Sequence, residues 1–174
     1  MQEPEPRTPE RPVPERFNSP EYQRVIAPGK AAAPCLIAPG AMALMRRAAE
    51  AAWPREACGL LIGRMGADGW QVSDARETAN LNTARAADRF ILDPVAYQQT
   101  DAELRGSGRE IIGIWHSHPD CPARPSPTDL ASAWEGFAYV IVSVYQARTA
   151  DVACWALDGA GKQFQAVDIH EARA

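Results

Sequence analysis

The sequence predicts an α/β (α+β) domain, helices together with a β-sheet of about six strands. Three observations predict it. Short apolar runs recur along the chain, each bounded by glycine, proline or polar turns, as strands require. Longer segments between them carry helical spacing or helix-start signals instead. The 174 residues, 46% apolar and 23% charged, suffice for one domain with a sizeable core.

Residues 1–34 differ in character from the rest of the chain. They hold eight of the fifteen prolines, many charges and few large apolar side chains. Such a segment buries too little surface to offset its ordering entropy. A disordered proline-rich tail is expected there, with Phe17, Tyr22, Val25 and Ile26 as candidates for local packing on a domain spanning 35–174.

Within that domain, Pro39 and Gly40 precede a run, 41–53, that spaces Met42, Met45, Ala49 and Trp53 along one helix face; Pro54 ends it. Residues 58–62 read as a buried strand, 70–77 as a second strand after a turn at 66–69, and 80–88 as a polar loop. Residues 90–92 fit a short strand. Asp93-Pro94 supplies an N-cap followed by proline at the first helical position, starting a helix to about residue 104 that Gly106-Ser107-Gly108 stops. A strand at 110–118, a loop at 119–125 and a short helix at 127–134 come next. Strands at 139–145, 151–157 and 163–169 complete the chain, which has no internal repeat.

Charge and cysteine usage narrow the function. A formal net charge of −4 and no polybasic run argue against nucleic acid as partner. No run of about 18 apolar residues argues for a membrane span, and the acidic, proline-rich start lacks the apolar core of a secretory signal. Cys35, Cys58, Cys121 and Cys154 are scattered without a C-x-x-C pair, so reduced thiols and a cytoplasmic location are expected. An enzyme and a binding module both fit this composition.

The segment His116-Ser-His-Pro-Asp-Cys-Pro-Ala-Arg-Pro-Ser126-Pro-Thr-Asp129 carries the chemistry. Side chains alternate faces along a strand, so Ile112, Ile114, His116 and His118 would share one face if the strand runs that far. Two imidazoles would then project together from its end. Imidazole suits zinc, and a catalytic zinc site takes three protein ligands plus a water. Asp129 is a reasonable third ligand. Four prolines between residues 119 and 127 stiffen the loop that returns it. Ser126 and Asp129 also have a plainer reading, a helix cap and a first-turn acid, and the two are compatible. A hydrolase further needs a base and an oxyanion donor. Glu56, just before the apolar run at 58–62, is the candidate base; Ser126 is the candidate donor.

The spacing H-x-H-x7-S-x2-D from His116 to Asp129 is similar to the signature of the JAMM (MPN-plus) metallopeptidases. Pro54-Arg-Glu56-Ala-Cys-Gly59-Leu-Leu-Ile-Gly63 resembles the segment carrying that family's catalytic glutamate. The stretch 80–94, with Arg89-Phe90-x-x-Asp93-Pro94, looks like the one between the two in short bacterial members. The resemblance covers roughly residues 38–170. It implies a mixed β-sheet flanked by helices, akin to the cytidine-deaminase-like (MPN) architecture, with one Zn2+ and a catalytic water held by His116, His118 and Asp129. It implies Glu56 as general acid/base and Ser126 as stabiliser of the tetrahedral intermediate. It implies, as substrate, the amide bond after the C-terminal Gly-Gly of a ubiquitin-like protein or its conjugate, cleaved in deconjugation, precursor processing or sulfur-carrier release.

Other readings remain beside this one. A non-catalytic scaffold of the same fold would bind a protein partner, and a zinc hydrolase of small peptides or amides would share the chemistry. Cys58 reads as a core residue, Cys121 as a loop residue or a thiol near the metal, and His170 as solvated. His170-Glu171 does not continue to H-E-x-x-H. Trp115 and Trp134 flank the site and are expected in the core or along a groove for an extended Gly-Gly tail.

Overall fold

The computed structural model describes residues 11–173. A nine-stranded sheet holds the domain together, in the order β1-β8-β7-β6-β5-β3-β4-β2-β9. Its strands are β1 (Ile26–Lys30), β2 (Cys35–Ile37), β3 (Cys58–Gly66), β4 (Gly69–Thr78), β5 (Glu110–Pro119), β6 (Ala138–Tyr145), β7 (Arg148–Leu157), β8 (Phe164–Val167) and β9 (Ile169–Glu171). The helices are α1 (Pro20–Gln23), α2 (Pro39–Ala52), α3 (Pro94–Leu104) and α4 (Pro127–Ala131), with a 3-10 turn at Glu15–Asn18. β5 and β6 pair in parallel, β3 pairs antiparallel with both β4 and β5, and β6–β7–β8 run antiparallel. The sheet is therefore mixed, as expected.

The two ends of the sheet are the same two stretches of chain. β8 and β9 are separated by Asp168 alone; β8 pairs with β1 at one end, β9 with β2 at the other. The Ala31 amide donates to Ala166 O and the Cys35 amide to Asp168 O, both at 2.8 Å. Residues 26–37 thus run parallel to 164–171 and tie one end of the curled sheet to the other. A closed sheet has few unpaired edge groups left to satisfy.

This closure corrects the expectation of a disordered tail through residue 34. From Glu15 onward the segment forms regular elements, and Phe17 and Val25 are buried. Strand pairing with 164–171 supplies the stabilisation that the local composition lacks. The part of that expectation on residues 1–10 lies outside the described residues. The last expected strand, 163–169, is two strands bent at Asp168. Residues 90–92 form no strand, only an isolated bridge between Asn80 and Leu92. The helix expected to reach residue 134 stops at Ala131.

α2 lays Met42, Met45 and Ala49 against Leu61, Val72, Trp115, Val140 and Val142, the main core cluster. Trp53, the fourth residue of that predicted face, is only half-buried and donates to Asp120 Oδ1 at 3.2 Å. On the opposite face of the sheet, Tyr139, Ile141, Trp155 and Phe164 form a second cluster that receives Ile114. Ile112 departs from the predicted alternation, since it packs with Trp115 and not with Ile114. A register shift where β5 opposes Leu61 and Ile62 changes the phase of the strand there. Beyond it, Ile114, His116 and His118 keep one face.

Candidate active site

β5 delivers His116 and His118 from its C-terminal end, both at most 5% exposed. Their Nε2 atoms stand 3.1 Å apart. His118 Nδ1 lies 2.9 Å from Pro122 O. A carbonyl only accepts, so Nδ1 carries the hydrogen and Nε2 keeps its lone pair for the site. His116 Nδ1 has no hydrogen-bond partner among the described residues, and the ring stacks on Phe90 at 4.6 Å.

The loop after β5 is held by donors around it. Cys121 O accepts from Ser143 Oγ (2.6 Å), Pro122 O faces His118 Nδ1, and Ala123 O accepts from Trp155 Nε1 (3.0 Å). Three successive carbonyls are thus fixed, and the chain returns as α4. Ser126 caps that helix. Its Oγ accepts from the Asp129 amide at 3.1 Å, and its own amide donates to Asp129 Oδ2 at 2.7 Å, a reciprocal capping box. The same carboxylate places Oδ1 3.3 Å from His116 Nε2 and Oδ2 3.6 Å from His118 Nε2. The acid of the capping box and the candidate ligand are one side chain. The Ser126 hydroxyl keeps its own hydrogen to donate.

His116, His118 and Asp129 form a group that could hold a metal ion. The spacings test the fit. A tetrahedral zinc with ligands at about 2.0–2.1 Å separates neighbouring donor atoms by roughly 3.3 Å. The two imidazole nitrogens at 3.1 Å, and Asp129 Oδ1 at 3.3 Å from His116 Nε2, lie close to that value, while His118 Nε2 stands 3.6 Å from the other carboxylate oxygen, Oδ2. Two imidazoles and one carboxylate are also a borderline donor set that zinc accepts. Burial pushes the Asp129 carboxyl up, but the two histidines outweigh it and hold the group well below the usual carboxylate range. Burial lowers His118, and Asp129 with Glu56 more than restores it.

Glu56 is 7% exposed and lines the same cavity as His116, Ser126 and Asp129. Burial raises its pKa above the ordinary carboxyl value, with the two histidines opposing. Its backbone is held on both sides. The amide donates to Ala86 O at 2.5 Å, and the carbonyl accepts from Asn80 Nδ2 at 3.1 Å. Next along the chain, the Ala57 amide donates to Ser117 Oγ at 2.8 Å, and Ala57 O accepts from the Ser117 amide. Ser117 sits between the two histidines, so it links the stretch that carries Glu56 to β5.

Asn80 uses all its polar capacity here. Besides Glu56 O it donates to Arg89 O, and its Oδ1 accepts from the Asn82 and Ile91 amides, each at 3.0 Å. Arg89 and Ile91 flank Phe90, so one amide side chain fixes both the candidate base and the ring stacked on His116. Sequence reasoning did not find Asn80, Ser117 or Phe90 as positioning groups. An asparagine at the start of a polar loop was the available signal for the first.

From this group a cavity of about 410 Å³ opens along Phe90, Leu92, Tyr97, Ile114, Trp134 and Tyr139. Trp134 is 55% exposed on its rim and outside the core. Trp115 is fully buried and donates to Arg76 O at 3.0 Å, a core residue with no face on the groove. Cys58 is fully buried. Cys121 is buried too, outside the three-residue group, and its Sγ accepts from Arg16 Nη2 at 3.2 Å.

Residues 39–158 match the model of the prokaryotic homologs of the JAB domain, and the chain belongs to that family. This is the class that the resemblance to the JAMM metallopeptidases implied. Among curated proteins, the chain is similar to a desampylase of Haloferax volcanii, 33% identical over 52% of this chain and 63% of that one. It is also similar to a probable TtuB-protein conjugate cleaving protease of Thermus thermophilus, 32% identical over 51% and 55%. The chain spans less than two thirds of the length of either. A solution structure of a Desulfitobacterium hafniense protein shares the fold, with a TM-score of 0.69 and 26% identity over 80% of this chain and 94% of that one.

Proposed function

We propose that this chain is a zinc-dependent peptidase that hydrolyses the amide bond after the Gly-Gly end of a ubiquitin-like protein or its conjugate. One observation carries the reading: two imidazole nitrogens and a carboxylate converge at zinc-ligand spacing beside a buried glutamate, where an apolar groove begins. The family membership supports the chemistry. The names of the two curated relatives, a desampylase and a conjugate-cleaving protease, support the kind of substrate.

His116, His118 and Asp129 would hold the ion. Zinc, when bound, supplies Lewis acidity and brings the pKa of its water down to about 7. Glu56 accepts the proton of the attacking water and returns it to the leaving amine. Burial raises its pKa, the direction that makes a carboxylate a stronger base and leaves it able to hold the proton it takes. Ser126 Oγ–H donates to the oxygen that gains charge as the carbonyl becomes tetrahedral. Water adds OH to the acyl carbon, the C–N bond breaks, and the amine departs with the proton. The groove from Phe90 to Trp134 takes the extended tail. Four buried free cysteines fit a reducing compartment, the cytoplasm.

The test is metal analysis of the purified chain together with hydrolysis of a Gly-Gly-linked ubiquitin-like substrate. One zinc per chain and turnover are expected, and Glu56→Gln is expected to keep the zinc while turnover falls by about 100-fold or more. Normal turnover by Glu56→Gln would end the proposed mechanism. The scaffold alternative predicts zinc-independent partner binding without hydrolysis.

A further inference from the structure

The candidate metal site is flanked by cavities of very different size. The groove side offers about 410 Å³. On the other, residues 16–22 lie against the site. Phe17 is 2% exposed and presents its ring edgewise to His118, with ring centroids 6.3 Å apart. Tyr22 packs on Phe17 at 4.9 Å, and Arg16 reaches Cys121 Sγ. Between Arg16, Phe17 and Tyr22 and the facing Glu56, His118 and Ser126 only about 20 Å³ remains free. That is room for about one water.

This segment is fixed at both ends. Upstream, Pro12 O accepts from Tyr145 Oη at 3.0 Å. Downstream, Val25 packs with Tyr139, Ile141 and Phe164, and β1 pairs with β8. Between them, Arg124 Nη2 donates to Phe17 O at 3.5 Å, and Ser19 caps α1 through the Tyr22 amide. The segment also lies outside residues 39–158, the part that matches the family model. Its anchoring at both ends makes it a wall beside the site.

The two halves of an amide leave its carbonyl carbon in opposite directions. With the acyl tail in the groove, as the proposed function has it, the amine half points to the confined side. We infer that residues 16–22, through Phe17 and Arg16, are a specificity determinant on the leaving-amine side. They favour a small, unhindered amine, such as a short peptide extension, over a lysine carried on a folded protein. The inference rests on the proposed function for which half of the substrate fills the groove.

The test uses the full chain loaded with zinc and two substrates. One is a ubiquitin-like protein whose Gly-Gly end carries a short peptide extension. The other carries the same end on a lysine of a folded protein. The quantity read is the ratio of kcat/KM for the conjugate to kcat/KM for the extension. The wild-type ratio is expected to be about tenfold or more below one, the scale of a single steric misfit. Phe17→Ala is expected to raise the ratio by about tenfold, and Arg16→Ala to raise it in the same direction. Arg16 is exposed, so its variant keeps the fold even if the loss of buried Phe17 does not. A wild-type ratio near one, or a ratio unmoved in folded Arg16→Ala, overturns the wall while leaving the proposed function standing. Hydrolysis of neither substrate by any of the three proteins overturns the proposed function and the wall with it.

Discussion

At the scale of single residues, Asn80 and Glu56 show how a site is held and what holding it costs. Asn80 makes four hydrogen bonds, and two of their partners flank Phe90 while a third is the carbonyl of Glu56. Asn80→Ala should therefore loosen base and ring together. A fall in kcat of about 10- to 100-fold is expected, with KM and zinc content nearly unchanged, because displacement of a catalytic group by about 1 Å costs that much. Steady-state kinetics with metal analysis checks this. Glu56 carries a stability cost. Burial raises its folded pKa above the unfolded value, so its ionised form is disfavoured in the fold. The group's contribution is then fully present below the unfolded pKa and is lost as pH rises through the folded one. Glutamine mimics the protonated acid. Metal-free Glu56→Gln should melt above metal-free wild type near pH 8 and lose that advantage near pH 4. One pKa unit is worth about 1.4 kcal/mol, and 1 kcal/mol moves the Tm of a domain this size by about 2–4 °C.

At the scale of elements, close approach of strands decides which glycines can change. A Cβ on Gly59 in β3 would stand 1.8 Å from Arg76 O and 2.5 Å from Trp115 Nε1, the two atoms of a buried hydrogen bond. Gly59→Ala must push β4 and the Trp115 indole apart, two residues from the link between Ala57 and Ser117. A loss of about 1–3 kcal/mol is expected, the usual cost of overpacking, read by denaturant unfolding. Gly40 in the first turn of α2 has nothing within 4 Å of such a Cβ. Gly40→Ala should be neutral or stabilising by up to about 1 kcal/mol. α4 shows the same economy in five residues. The acid that completes its capping box is also the candidate ligand, so the local signal for a helix start was also the signal for the site.

At the scale of the whole molecule, the candidate ligands come from two elements that the sheet brings together, β5 and α4. Metal bound only by the folded chain stabilises it by mass action. Removal of zinc with a chelator should lower the Tm, and zinc should restore it. Magnesium should not, because it demands an oxygen-rich octahedron that two imidazoles do not supply. Calorimetry on the chelated and reconstituted protein measures this directly. Closure of the sheet by residues 26–37 against 164–171 belongs to the same scale. It links the N-terminal wall to the last strands, far away in sequence.

The sequence by itself determined what lies close along the chain. The pair of histidines at the end of β5, the proline that starts α3 after Asp93, the capping box of α4 and the amphipathic face of α2 all follow from spacing and local propensity. The motif spacing also pointed to the family and to Glu56, His116, His118, Ser126 and Asp129 as a set. Only the tertiary structure decided what depends on pairing with distant chain. Residues 15–34 look unfoldable by composition, yet they are ordered because 164–171 gives their backbone a partner. Ile112 turns to the other face because a shift against β3 breaks the alternation there. Asn80 becomes the clamp of Glu56, and Phe17 the wall beside His118, through contacts across 24 and about 100 residues. Local signals fix local geometry, whereas non-local contacts are paid for only once the whole sheet has closed.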